Sequence, residues 1–587
     1  MRTARLHTVA LAIGGLFVLT AVFGSNLAGI HIPALIRICL LLVGLAILAY
    51  ALERRAGSQI RRHFEMRRNT YAGLFTYLSF SIAGAIVLLA YLYFSSIGTW
   101  TDLPPSTDYY DRLASAFRAG HLYVSERPGP ALLALANPYD PDARAGFDAA
   151  STKDLDSIWD LSLYKGKVYL YWGPAPALLL DVLKAVYPGA VGDNILTFGF
   201  LSGSFLFQSL LLIRVWRRFM RAVPAWMVVA GILLVGFIHP TSWLLFEPRI
   251  YEAAIAAGQF FLMAGIYLAY SAFDRQVASR LRLALAAIAW VCAVGSRATL
   301  AVAVPFLALM VLVWLFRKVH GSWDFGGSLV PAVAFGIPLL AGALLLAWYN
   351  LARFGSIFEF GFRYAITMLD QNRYHAVLFS PIYIRPNAFM YFLNAPALDA
   401  AFPFVKPIWN GDYVAAFNAS VHGIYNVERI VGLIYVAPFL LFSLLAPGLI
   451  IASSGSRKPE PPTPETHSIG AEREPLMRWL VFTLAASALL ELVIVLSVYY
   501  ATARYFLDAG ATLAILSVLG SWLGCSRLKA RRVWLAGYGF GAVALLLFTI
   551  IISVLIGFSS DVPRMKAANP AFLSHLRLFF IALARHF

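Results

Sequence analysis

Charge is what this chain has least of. Lys, Arg, Asp and Glu supply 13% of its 587 residues, where a water-soluble domain carries about a quarter. Cysteine is scarce as well. Cys39 and Cys292 fall inside apolar runs and Cys525 at the end of one, so neither a disulfide framework nor a cysteine metal site is expected. The sequence has no phosphate-binding loop of the G-x-x-x-x-G-K-[ST] type and no dinucleotide-type glycine pattern. His121, His375 and His422 are scattered without ligand spacing. Segments that read as cytosolic are too short to fold as a nucleotide-sugar-binding domain. These absences argue against a soluble enzyme and a nucleotide-fed one.

Apolar sequence is what the chain has in quantity. Hydrophobic residues make up 60% of it, and the mean hydropathy is +0.72. Runs of eighteen or more apolar residues recur from end to end, each long enough to cross a bilayer. The net charge of +17 is carried by short basic clusters between these runs. That is the positive-inside pattern and not a nucleic-acid surface.

An all-α polytopic membrane protein with about 13 transmembrane helices is therefore expected. Arg2 and Arg5 place the N-terminus in the cytosol, and the first run reads as an uncleaved helix and not a secretory signal. Spans at about 8–28 and 33–51 form a two-helix addition within 1–70, closed by Arg54, Arg55, Arg61, Arg62, Arg67 and Arg68. A core over 71–451 carries two long outer loops, 96–192 and 350–425, between spans such as 71–95, 193–213, 223–240, 252–272, 328–349 and 429–451. A Ser-, Pro- and charge-rich cytosolic linker, 452–476, follows. Further helices fill 477–557, and an amphipathic tail, 558–587, lies outside on the membrane surface.

The spans are mostly clean, with Glu491 inside one and Asn350 near an outer end. No internal repeat is evident, whereas a transporter would show two similar halves and polar, broken helices. Polar residues collect instead in the outer loops. Ser106-Thr107-Asp108-Tyr109-Tyr110-Asp111 precedes apolar residues at Leu113, Phe117 and Leu122, the spacing of a short surface helix, with Asp108 near its N-cap. Asn137-Pro138-Tyr139-Asp140-Pro141 reads as a turn. The stretch from Asp160 through Tyr164 and Tyr169 to Tyr171-Trp172-Gly173-Pro174-Ala175-Pro176 reads either as an interfacial aromatic belt or as a platform on which a sugar stacks.

This loop, with Glu247-Pro248-Arg249-Ile250-Tyr251-Glu252, Gly295-Ser296-Arg297, Tyr349-Asn350 to Arg353-Phe354-Gly355-Ser356, and Ala503-Arg504-Tyr505 to Asp508, resembles the GT-C superfamily. Those are multipass glycosyltransferases fed by polyprenyl-phosphate sugars. The bacterial members related to the dolichyl-phosphate-mannose and aminoarabinose transferases show short motifs of this kind on the outer face. In the family the acidic loop follows the first span and carries a paired Asp-Glu; here two spans precede it, and Asp108 and Asp111 are three apart.

The resemblance implies an inverting transfer of sugar from a lipid phosphate to an acceptor glycan, lipid or protein, on the extracytoplasmic side of a bacterial inner membrane. It assigns Asp108 as general base with Asp111 as helper. Arg249, Arg297 and Arg504 would bind the donor phosphate, since a guanidinium grips phosphate oxygens with two bonds. Glu252, Tyr109, Tyr171, Trp172 and Asp508 would meet substrate. Asp508 also stands four residues from Arg504, the helical spacing of an ion pair. Some members use a divalent metal, Mg or Mn, which the motifs leave open. Two other readings stand beside this one: a polysaccharide polymerase or ligase with a lipid-diphosphate donor, and a non-enzymatic transporter or flippase.

Overall fold

The computed structural model describes residues 12–17, 19–20, 40, 44 and 70–584, except 275–277, 318–324, 422 and 455–472. The two expected N-terminal spans, apart from these fragments, the arginine cluster after them, Cys39, His422 and most of the 452–476 linker lie outside the described residues.

Among the described residues, eight helices are long and apolar enough to cross a membrane. They are Phe75–Ser95, Asp193–Phe219, Ile250–Phe273, Ala298–Leu315, Gly327–Phe354, Glu474–Leu496, Ala503–Leu528 and Val533–Gly557. The chain is thus a multi-pass membrane protein with a helical core. Burial sorts these helices. Ile250–Phe273 and Ala503–Leu528 are 83% and 89% buried, whereas Gly327–Phe354 is only 11% buried. The first two form the centre of the bundle and the last faces lipid.

Residue size explains the centre. Ile250–Phe273 carries Ala253, Ala254, Ala256, Ala257, Gly258, Ala264 and Gly265. Small side chains let membrane helices approach closely, where packing rather than hydrophobic burial drives association. A Cβ on Gly258 would stand 2.9 Å from the Cβ of Arg297, so this glycine lets the Arg297 segment lie against the helix.

Two expected spans differ from simple crossings. The run at 223–240 forms a helix only over Ala225–Phe237, before Pro240 and a second short helix, Thr241–Phe246. The run at 429–451 is not one helix. It is cut into Leu433–Val436, a tighter 3-10 turn at Pro438–Leu444, and Leu445–Ser454. Pro438 supplies no N–H for a continuing helix, and Ala437 before it takes φ −141°. Hydropathy alone does not register such breaks.

The two long loops fold together at one end of the bundle, here termed the loop face. The first holds the helix Tyr109–Arg118, which ends where Gly120 takes φ +77°, and the hairpin Ser162–Tyr164 with Lys167–Tyr169. Its last helix is Ala175–Lys184. The second loop pairs Ala397–Leu398 with Val405–Lys406 and carries the helix Gly411–Ser420. It then lays Asn426–Val427 parallel to Tyr500–Ala501.

The segment Tyr171 to Pro176 enters its helix against Gly295. Ala175 N donates to the Gly295 carbonyl at 2.8 Å. A Cβ on Gly173 would stand 2.1 Å from that same carbonyl oxygen. The obstacle is backbone and cannot swing aside. Gly173→Ala is expected to cost about 1–3 kcal/mol or more, read as a lower thermal midpoint of the purified protein.

Candidate functional site

The short parallel pairing of Asn426–Val427 with Tyr500–Ala501 sets the geometry of the loop face. It continues through a bond from Glu428 N to the Ala501 carbonyl, 2.8 Å, and so holds Glu428 over the next residues of that segment. The Glu428 carboxylate accepts from Thr502 Oγ1 (2.6 Å) and Tyr500 OH (2.9 Å). Both arms of the Arg504 guanidinium grip it, Nη2 to Oε1 at 2.9 Å and Nη1 to Oε2 at 3.1 Å. Burial pushes the Glu428 acid up, but Arg504 and the two hydroxyls outweigh it and hold the group below the usual carboxylate value.

Arg504 is nearly enclosed, with 8% of its side chain exposed. Its other neighbours are Glu252 Oε1 at 3.7 Å and the Tyr251 ring at 4.7 Å. Glu252 is fully buried; its Oε2 accepts from Arg249 N at 3.1 Å, which caps the helix starting at Ile250.

Tyr251 turns away from Glu252 and donates its hydroxyl to Asp160 Oδ2. Asp160 takes φ +59°, a left-handed conformation that Asp adopts more readily than most residues and that concentrates at functional sites. Its backbone N–H donates to the Ile366 carbonyl at 3.0 Å, so both loops hold it in place. Burial raises its pKa above the ordinary aspartate value; the Tyr251 bond, Arg504 and Arg249 pull it down but do not cancel the rise. Among the described residues, no hydrogen bond occupies its other oxygen, Oδ1.

Aromatic rings stand beside it. Tyr171 stacks on Trp172 at 3.8 Å, Trp172 meets the Tyr251 ring edge-on at 5.2 Å, and Tyr171 meets Phe362 at 5.4 Å. The Tyr171 hydroxyl is pushed well up, first by burial, then by Tyr251, Asp160, Tyr505 and Tyr499. Arg353 fixes the approach to Tyr171: Nη1 donates to the Leu170 carbonyl at 2.6 Å and Nη2 to Asn350 at 2.9 Å. These contacts gather Asp160, Tyr171, Trp172, Tyr251, Arg504 and Glu428 into one cluster on the loop face, here termed the groove.

The expected site residues divide. Tyr171, Trp172, Glu252 and Arg504 line or support the groove. Tyr109 borders it, with its hydroxyl on the Trp159 carbonyl at 2.8 Å and its pKa pushed up to about 12, chiefly by burial and then by Asp160. Asp108 precedes Tyr109 on the far side. It is half exposed and paired with Arg112 at 2.7 Å. Its side chain makes no capping bond. Asp193, fully buried, caps that helix instead, accepting from Thr107 Oγ1 (2.6 Å), Tyr109 N (3.1 Å) and Tyr110 N (3.3 Å).

Asp111 points elsewhere, to Lys184 Nζ at 2.8 Å and Val191 N at 3.0 Å, tying the helix to the end of its loop. Asp508 does not pair with Arg504. It takes Arg297 instead, at 3.1 Å to Nε and 2.9 Å to Nη2. The two arginines therefore share no carboxylate. Arg249 is half exposed and reaches Asp561 at 3.1 Å and Glu247 at 3.3 Å. The spans are less clean than their sequence: Gln259 Nε2 donates to the Asp508 carbonyl at 2.7 Å, and Ser487 to the buried Glu491 at 2.8 Å.

Glu428 and Asp193 escape a reading of the sequence as site residues, and Asp160 enters it only as the start of the Tyr-rich stretch. A signal existed for Asp160, which follows Trp159 and directly precedes the Tyr-rich hairpin. Among the described residues, no three His, Cys, Asp or Glu side chains converge as metal ligands.

No protein-family profile matches the chain, and no curated protein matches it. Three solved structures of the oligosaccharyltransferase of Archaeoglobus fulgidus align with the chain. The apo form aligns at 12% identity and TM-score 0.41, over 87% of this chain and 60% of that one. The complex of the archaeal enzyme AglB with an inhibitory peptide and a dolichol-phosphate aligns at 12% and 0.38, over 84% and 56%. The form tethered to an acceptor peptide containing the NVT sequon aligns at 13% and 0.43, over 84% and 59%. This chain thus spans less than two thirds of the length of those structures.

Proposed function

We propose that this chain is a membrane glycosyltransferase that moves a sugar from a polyprenyl-phosphate donor to an acceptor hydroxyl, with the loop face on the extracytoplasmic side. The observation that carries the reading is Asp160. It is a half-enclosed carboxylate with one oxygen unbonded, beside stacked aromatic rings and at the end of a bundle of apolar helices. Aromatic faces bind the apolar face of a sugar ring, and a lipid-borne donor reaches such a groove from the bilayer.

The chemistry follows from placement. Oδ1 of Asp160 takes the proton of the acceptor hydroxyl as its oxygen attacks the anomeric carbon. The bond from that carbon to the phosphate oxygen breaks, and the electron pair leaves on the lipid phosphate. Attack from the side opposite the leaving group inverts the anomeric centre. Arg249, the most exposed of the three arginines, is placed to offset the charge on the departing phosphate. Arg504 and Arg297, both nearly enclosed, keep the groove's shape. Asp108, half exposed and paired with Arg112, takes no part in this step.

The test is sugar transfer by the purified, reconstituted chain offered a panel of polyprenyl-phosphate sugars, with Asp160→Asn and Asp108→Asn beside it. Transfer or donor hydrolysis by the native chain supports the class; its absence with every donor and every acceptor tried counts against it.

The raised pKa of Asp160 also sets a pH profile. A base works ionised, so kcat/KM falls as pH drops through that pKa. The acid limb is expected above the pH at which an ordinary aspartate, pKa about 3.9, would place it. Tyr251→Phe removes a bond that favours the carboxylate, so it moves the limb to still higher pH. A limb that stays put in that variant assigns the titration to another group.

A further inference from the structure

A second feature of the loop face lies apart from the groove. A cavity of about 250 Å³ opens where the second loop meets the C-terminal helix Phe572–Ala584, lined by Phe402, Pro403, Lys406, Arg429, Phe558 and Arg577 among others. Three cations therefore surround a mostly apolar hollow. Lys406 arrives on the strand Val405–Lys406 and pairs with Asp399, which also feels Arg577. Arg429 is exposed and has no ion-pair partner among the described residues. The balance of three cations against one carboxylate favours an anion.

The walls say what kind of anion. Phe402 packs on Phe580 at 5.0 Å and on Phe558 at 5.1 Å, which fastens the C-terminal helix beside the cavity. The other face of that helix leaves Leu578, Phe579 and Ile581 at least half exposed. A helix with one packed face and one bare apolar face lies in the membrane interface. The space next to the three cations is then filled by lipid, where basic pockets between helices take lipid head groups.

We propose that this cavity holds the head-group phosphate of an anionic glycerophospholipid, one per chain, with its acyl chains along Leu578, Phe579 and Ile581. Arg429 and Arg577 grip the phosphate oxygens, as guanidinium forks do, and Lys406 adds a point charge. The cavity shares no lining residue with the groove around Asp160. A sugar donor seated in it would not present its anomeric carbon there, so the occupant is a resident lipid rather than a substrate. The lipid clamps the C-terminal helix to the second loop, whose end carries Glu428 next to Arg429.

Native mass spectrometry of the detergent-purified full chain tests this. The probes are phosphatidylglycerol, phosphatidylcholine, undecaprenyl monophosphate and inorganic phosphate, offered to the native chain, to Arg429→Gln, and to Arg429→Gln with Arg577→Gln. The native chain is expected to retain one phosphatidylglycerol with at least about tenfold preference over phosphatidylcholine. That preference should shrink in the single variant and vanish in the double one, while elution volume and thermal midpoint stay near native. An unchanged preference in the folded double variant overturns the site. Competition by inorganic phosphate at equal concentration overturns a lipid occupant, and preference for undecaprenyl monophosphate overturns a glycerophospholipid.

Discussion

Asp160→Asn is expected to lower sugar transfer at least about a hundredfold, the scale of losing a general base, while the protein purifies and melts as before. Asparagine keeps the shape and can still accept the Tyr251 hydroxyl bond, so the left-handed turn and its tie to Ile366 survive. What it loses is the ability to take a proton at Oδ1. Asp108→Asn supplies the contrast. Its carboxylate is half exposed and bonded to Arg112, and the helix beside it is capped by Asp193. Loss of that charge is expected to change turnover less than about tenfold, as befits a half-exposed residue paired outside the groove. The reverse outcome, with Asp108 indispensable and Asp160 replaceable, would move the base across Tyr109 and leave Asp160 as the residue that orients Tyr251.

These two acids also show what the sequence makes legible. The apolar runs and the segments at 171–176, 247–252, 295–297, 349–356 and 503–508 are visible as strings, and the fold brings them to one end of the bundle. A string does not show which carboxylate faces the groove. Asp160 gains its place from a left-handed turn and from Tyr251, 91 residues away. Glu428 gains its place from a parallel pairing of two residues with two, too short to leave any alternation in the sequence. Asp193 looks like the first residue of a span yet caps a different helix. Helical spacing suggested Arg504 with Asp508, but Arg504 lies in a 3-10 turn just before the helix that begins at Leu507, so the four-residue rule does not apply. Hydropathy likewise saw one span at 429–451 where the chain breaks at Pro438.

Removing Arg504 is expected to destabilise the protein more than any other single change in the groove. Its guanidinium lies between Glu428, at 2.9 Å, and the fully buried Glu252, at 3.7 Å. Arg504→Met keeps the length of the side chain but leaves two carboxylates near each other without a cation. Breaking a buried ion pair from one side costs about 3–5 kcal/mol, far more than the deletion of a surface pair. Arg504→Lys should recover little, because an ammonium cannot hold both oxygens of Glu428 at once. The decisive variant combines Arg504→Met with Glu252→Gln and Glu428→Gln. It removes all three charges together, so most of the lost stability should return, measured as the thermal midpoint or the denaturant midpoint in one detergent. Transfer activity should not return with it if the charge between the two loops is what sets Tyr251, and through it Asp160, in position. Recovery of both would make the cluster a fastening alone; recovery of neither would mean that Arg504 stabilises the fold through its contact with the Tyr251 ring rather than through its charge.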